Sequence, residues 1–200
     1  MLYCRVFSLV RASHGEIEYW VHPASASEDT DTAILHDYFR LDHSLQSLYK
    51  LWASKDTNFA LKSANCRGVR LLNQHPLESL VAFICSSNNH IQRIHSMMTK
   101  LAEAFGTYLG CHGDQDYYSF PTLSSLCREG VEHQLRELGF GYRAKYVHQT
   151  ALKLSQELGG EKWLQHLKKI PYEGNTLTYY LHTHMHSLST FLCHTHKCMI

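Results

Sequence analysis

The sequence predicts an α+β fold that is mainly α. Three features lead to this reading. Near the N-terminus, two short runs rich in β-branched and aromatic residues flank Ser13, His14 and Gly15, which is a hairpin pattern. From about residue 30 onward, apolar residues recur at three- and four-residue spacing in a series of short segments. Ser, Thr, Asp, Pro and Gly stand at the ends of those segments, where helix caps and stops belong.

In chain order, Tyr3 to Val10 and Glu16 to Val21 read as the paired strands. Two strands alone are marginally stable, so the hairpin needs further sheet or a helix over it. Pro23 to Asp29 reads as an acidic linker of small residues. Thr30 or Asp31 is placed to cap a helix through Arg40 with Ile34, Leu35, Tyr38 and Phe39 inward. Asp42 is placed to cap a second helix carrying Leu45, Leu48, Tyr49 and Trp52 on one stripe. A short third helix is expected from Asp56 to Ala64, and Gly68 ends the group.

Pro76 suits the first position of the next helix, in which Leu77, Leu80, Val81 and Ile84 share a face. Ser86, Ser87, Asn88 and Asn89 compete for backbone hydrogen bonds and interrupt it; Ile91, Ile94 and Met98 then restart an apolar stripe. The stretch PLESLVAFICSSNNHIQR is therefore a helix, a polar elbow and a second helix from about Asn89 to Phe105, stopped by Gly106. A capped interhelical turn and a junction that reads a duplex both fit this spacing.

Thr107 to Tyr118 reads as a loop rich in Gly, Asp and Tyr. Thr122 is placed to cap a short helix to Cys127, and Val131 to Leu138 is another. Gly139 and Gly141 bracket Phe140 before a helix from Tyr142 to Leu158, which Gly159 and Gly160 end. The last helix, Glu161 to Ile170, carries Trp163, Leu164 and Leu167 inward. Short helices with brief connections pack locally into a bundle.

Lys plus Arg number 19 and Asp plus Glu 18, a formal net charge of +1, so overall charge gives no argument for a nucleic-acid partner. The longest apolar run, Leu80 to Cys85, is too short to span a bilayer, and no basic-then-apolar leader is present; a soluble intracellular chain is expected. Seven cysteines, an odd number at irregular spacing, read as reduced thiols, with Cys85 a small core residue.

FICSSNN followed by Arg93, and then LGFGYRAKYV from Leu138 to Val147, closely resemble the eukaryotic 8-oxoguanine DNA glycosylases, members of the helix-hairpin-helix superfamily of base-excision repair enzymes. The likeness runs from about Val6 to Glu173 and includes YFRLDHSLQSLYKLW and GVRLLNQHPLESL. It implies a remnant of an antiparallel sheet like half of a TATA-binding-protein fold, followed by part of a helical DNA-glycosylase bundle. The domains implied are a partial N-terminal domain over 1–75, a partial helical domain over 76–173 and an unrelated His/Cys-rich tail over 174–200, so that the chain is truncated at both ends relative to the family.

The resemblance also implies a site. Asn88 matches the asparagine that enters the gap opposite a flipped base and pairs with the orphaned cytosine; Arg93 and Arg143 match two arginines that donate to the same cytosine, and Tyr142 matches a wedge in the stack. The implied partner is double-stranded DNA with 8-oxoguanine opposite cytosine, bound by a monomer in the nucleus, and in mitochondria as a further location, with no membrane, metal or cofactor. In full-length relatives a lysine amine attacks the sugar and an aspartate stabilises the developing positive charge, giving glycosylase and lyase activity.

The likeness ends before those residues. The family's Gly-Gln-Ser-Phe-Arg-Trp segment and its Leu-Pro-Gly-Val-Gly hairpin have no match, and beyond Glu173 the sequence has no Asp and only Lys197. No catalytic residue is assigned, and the chain is expected to be inactive; the alternative is a non-catalytic DNA-binding or protein-interaction fragment. His182, His184, His186, Cys193, His194, His196 and Cys198 suggest zinc, but His-Thr-His alternation has no standard ligand spacing and is what a cytosine-adenine repeat encodes. Translated intron or a shifted frame is the expected origin of the tail. Helices that pack on segments beyond Glu173 in the family are expected to leave apolar surface exposed and stability low.

Overall fold

The computed structural model describes residues 6–11, 17–22, 27–65 and 68–169. The turn expected at Ser13 to Gly15 and the His/Cys-rich segment, with the zinc reading attached to it, lie outside the described residues. The chain divides into two compact units, one of residues 24–74 and one of residues 1–23 with 75–200. The hairpin forms as expected: β1 (Val6–Arg11) pairs antiparallel with β2 (Ile17–His22), Val6 opposite His22 and Arg11 opposite Ile17.

The unit 24–74 is three helices, α1 (Glu28–Tyr38), α2 (Leu45–Lys55) and α3 (Thr57–Ser63). Two expected caps are corrected. Ser27, not Thr30 or Asp31, caps α1, because its extended backbone directs its hydroxyl to the Thr30 amide, while Thr30 and Asp31 lie inside the first turn. Ser44, not Asp42, caps α2, since the bend from Arg40 (φ 51°) leaves Ser44 as the residue whose hydroxyl reaches the Ser47 amide at 3.3 Å. Asp56 caps α3 by accepting from Asn58 and Phe59 at 2.7 and 3.1 Å. The α2 stripe meets α3 edge to face, with Tyr49 and Trp52 rings 5.4 and 5.7 Å from Phe59.

In the second unit, α4 (Pro76–Ser86) has proline in its first turn and α5 (Ile91–Phe105) ends at Gly106. The hairpin of β3 (Tyr108–His112) and β4 (Gln115–Tyr118) follows, then α6 (Leu123–Leu126), α7 (Val131–Glu137), α8 (Arg143–Gln156) and α9 (Glu161–Lys169). The second hairpin corrects the loop expected over Thr107 to Tyr118. Gly113 at φ 61° makes the turn, a bulge near Gly110 interrupts the alternation that would betray a strand, and Tyr108 packs on Tyr118 across the pair at 5.5 Å.

The core lies between α4, α5, α7 and α8: Leu77, Ile84, Leu101, Leu135, Phe140 and Leu154 are fully buried. Each is worth roughly 1.5–3 kcal/mol against exposure. Cys85 is buried among them, as expected, and burial pushes its thiol up to about 12, against the opposing pull of the Arg143 charge. The start of α5 is two residues later than expected, because Asn89 turns inward and His90 is the cap.

Candidate nucleic-acid interface

The apolar faces of α4 and α5 fix the two sides of the elbow, and the four residues between the helices, Ser87 to His90, have sharply different environments. Ser87 is buried, and its hydroxyl lies 3.2 Å from the Ile84 carbonyl. Asn88 is exposed and takes φ 45°, a left-handed conformation that asparagine tolerates better than most residues. Asn89 turns the other way: its amide nitrogen donates to the Cys85 carbonyl at 2.9 Å and its oxygen accepts from the His90 amide at 3.0 Å. His90 then caps α5 through Nδ1, which accepts from the Arg93 amide at 3.3 Å. The two adjacent asparagines thus have divided roles, one securing the bend and one displayed by it.

Arg143 closes the elbow from α8. It is 3% exposed, and its Nε and Nη2 both donate to the Ser87 carbonyl, Nε at 3.1 Å; Nη2 also donates to the Asn88 carbonyl at 3.0 Å. A cation at the first position of α8 faces the positive end of that helix dipole, which is unfavourable. The carbonyls at the C-terminal end of α4 carry the opposite partial charge and offset it. Tyr142 completes the closure: its hydroxyl donates to the Ser87 carbonyl at 3.3 Å, and the Arg143 Cζ lies 4.6 Å from its ring centroid. Its ring is still 47% exposed, and it gives α8 no side-chain cap.

Arg93 is exposed on α5 and spans to the bend before α8, with Nη2 donating to the Gly139 carbonyl at 3.3 Å. All four residues expected at the site are therefore brought to one place. Asn88 displays an amide for which no bond is recorded among the described residues, and Tyr142 displays a ring face. The recorded bonds leave Nη1 of Arg143, and Nε and Nη1 of Arg93, for an outside acceptor. Together these are one amide acceptor, several donors and a stacking surface, a set that matches the edge of an unpaired base. Sequence reasoning missed the Ser87 carbonyl as the hub of the site, because main-chain acceptors leave no mark in residue type. Among the described residues no group of three or more His, Cys, Asp or Glu could hold a metal, and no helix is long and apolar enough to cross a membrane.

The profile of the HhH-GPD superfamily base excision DNA repair proteins matches residues 81–197. The chain belongs to this superfamily. The profile of the 8-oxoguanine DNA glycosylase N-terminal domain matches residues 1–80. The N-glycosylase/DNA lyase of Saccharomyces cerevisiae is 46% identical over 129 residues, 64% of this chain and 34% of that protein. The N-glycosylase/DNA lyase OGG1 of Arabidopsis thaliana is 36% identical over 161 residues, 80% of this chain and 43% of that protein. The chain thus spans less than half the length of either curated relative. Among solved structures, the Clostridium acetobutylicum 8-oxoguanine glycosylase/lyase in complex with duplex DNA containing cytosine opposite 8-oxoG superposes with a TM-score of 0.64 at 26% identity, covering 81% of this chain and 59% of that one. The mainly helical HhH-GPD fold with its small antiparallel sheet is therefore the fold of this chain.

Proposed function

We propose that this HhH-GPD chain reads the cytosine opposite 8-oxoguanine in duplex DNA. The observation that carries the reading is Asn88: an exposed amide held at positive φ by a bend whose carbonyls Arg143 grips. A duplex whose oxidised base has been flipped leaves a gap and an unpaired cytosine. Asn88 enters that gap and satisfies the cytosine edge, Arg93 and Nη1 of Arg143 donate to its ring nitrogen and carbonyl oxygen, and Tyr142 braces the stack. The resemblance to a Clostridium protein solved with such a duplex supports this partner. The chain acts as a monomer on nuclear DNA.

Reading and cutting are separable in this polypeptide. The sequence that follows Glu173 has one lysine, Lys197, and no aspartate, so no amine–carboxylate pair matching the family's catalytic pattern is found there. The 200-residue chain accordingly binds the lesion duplex without excising the base. Borohydride trapping tests this directly: the expected result is no covalent adduct on a duplex that the chain binds in preference to an undamaged one. A trapped adduct overturns the non-excising reading, and equal affinity for damaged and undamaged duplex overturns the recognition.

A further inference from the structure

Ile91, Ile94 and Met98 form the apolar stripe that restarts after the elbow. Ile94 and Met98 do pack against the core, but Ile91 is 84% exposed, the highest exposure of any large apolar side chain among the described residues. Its exposure is not an isolated case. In the unit containing residues 75–169, the strongly exposed large apolar residues are Phe83, Ile91, Tyr108 and Tyr142, and three of these four adjoin the elbow. Phe83 is one helical turn before Ser87, Tyr142 is bonded to Ser87, and Ile91 follows the His90 cap, three residues after Asn88. Scattered apolar residues need no explanation, whereas a concentration at one junction marks a surface that is covered in use.

We infer that Ile91 is a specificity-determining contact: its side chain packs against the sugar and base edge beside the gap that Asn88 fills, on the cytosine strand. This deepens the reading proposed above and rests on it. The occupant is a kinked duplex, because the same junction presents the exposed cation Arg93, whose Nε and Nη1 are left over by its bond to Gly139 and fit a phosphate-bearing partner, and apolar side chains next to such a cation serve as wedges at opened base steps. An undistorted duplex offers no opened step, so Ile91 contributes to lesion preference rather than to general affinity.

The test is fluorescence anisotropy of the full chain with an 8-oxoguanine·cytosine duplex and with the undamaged duplex, comparing wild type with Ile91→Ser, Ile91→Val, Asn88→Gly and Arg93→Ala. An exposed residue carries little folding stability, so Ile91→Ser is expected to melt with the wild type while its affinity for the lesion duplex falls about five- to tenfold and its affinity for the undamaged duplex is unchanged. Ile91→Val restores most of the loss. If Asn88→Gly and Arg93→Ala weaken lesion binding and Ile91→Ser does not, this inference is overturned and the reading of the site stands. If none of the variants changes lesion binding, or the wild type binds no duplex, both are overturned.

Discussion

The guanidinium of Arg143 is bonded to the main-chain carbonyl of Ser87 across 56 residues of sequence, through Nε at 3.1 Å and through Nη2. The bond joins the N-terminus of α8 to the C-terminus of α4 and sets the shape of the elbow that displays Asn88. Arg143 therefore acts first on the protein's own backbone, and only its remaining Nη1 is available to a base.

Replacing Arg143 by lysine keeps the charge but not the planar fork, whose Nε and Nη2 reach the Ser87 and Asn88 carbonyls while its face lies on Tyr142. The expected loss is about 2 kcal/mol of folding stability, the scale of hydrogen bonds to a charged group. Chemical denaturation of Arg143→Lys measures it. A loss smaller than that of Tyr142→Phe, which removes the neutral contacts of the Tyr142 hydroxyl with the Ser87 carbonyl and hydroxyl, would contradict the ranking of the two residues.

Asn88 sits at φ 45°, where glycine is free of strain and a Cβ is not. Asn88→Gly should therefore leave stability within about 0.5 kcal/mol of wild type, and Asn88→Ala should be less stable by roughly 1 kcal/mol. Thermal unfolding of the pair separates the backbone role of the position from its amide. Equal melting of Asn88→Gly and Asn88→Ala would show that the bend relaxes without its left-handed residue.

The start of α4 is expected to be sensitive to acid. His75 accepts the Leu77 amide on Nδ1 at 3.3 Å, so it caps the helix only while neutral. With Nδ1 accepting, Nε2 bears the proton; it lies 3.3 Å from the Gln165 amide, which satisfies it when its oxygen faces the ring. Burial lowers the His75 pKa from 6.5, with Glu161 opposing the effect and Lys168 adding to it. A lowered folded-state pKa means that the unfolded chain binds more protons, so the His75 contribution is present above about pH 6.5 and is lost as pH falls through the folded value. Stability should decline as pH falls from 7.5 through the folded value, and His75→Asn should flatten that slope. An unchanged slope in His75→Asn would remove His75 as its source.

Gly106 is required by space and not by φ. A Cβ there would lie 2.0 Å from the Ser119 carbonyl oxygen and 2.5 Å from that of Ala102, both main-chain atoms. Gly106→Ala should cost about 3 kcal/mol or more, whereas Gly113→Ala, with open space and φ 61°, should cost about 1 kcal/mol. Denaturant midpoints of the two variants give the comparison, and similar midpoints would contradict it.

Much of the fold was legible because apolar spacing and caps agree: Pro76, Asp56, Thr122 and Gly106 mark boundaries that the structure keeps. The Ser27 and Ser44 caps were displaced because an Asp or Thr lies within a few residues of each, and residue type alone does not say which backbone is extended. The β3–β4 hairpin was hidden by its glycines and bulge. At the site, Asn88, Arg93, Tyr142 and Arg143 were found through their likeness to a family, and the structure brings them together. Neither the inward turn of Asn89 nor the burial of Arg143 could be read from the string, because both depend on where main-chain carbonyls point.

The central claim is that the elbow recognises the base opposite the lesion. Its most direct measurement is the dissociation constant of the wild-type chain for otherwise identical 8-oxoguanine duplexes with cytosine or adenine opposite, repeated with Asn88→Gly. The account predicts tighter binding with cytosine by about tenfold or more, and a preference that collapses toward unity in Asn88→Gly while the variant melts like the wild type. Equal affinity for the two duplexes, or a preference that survives the loss of the Asn88 amide, would contradict it.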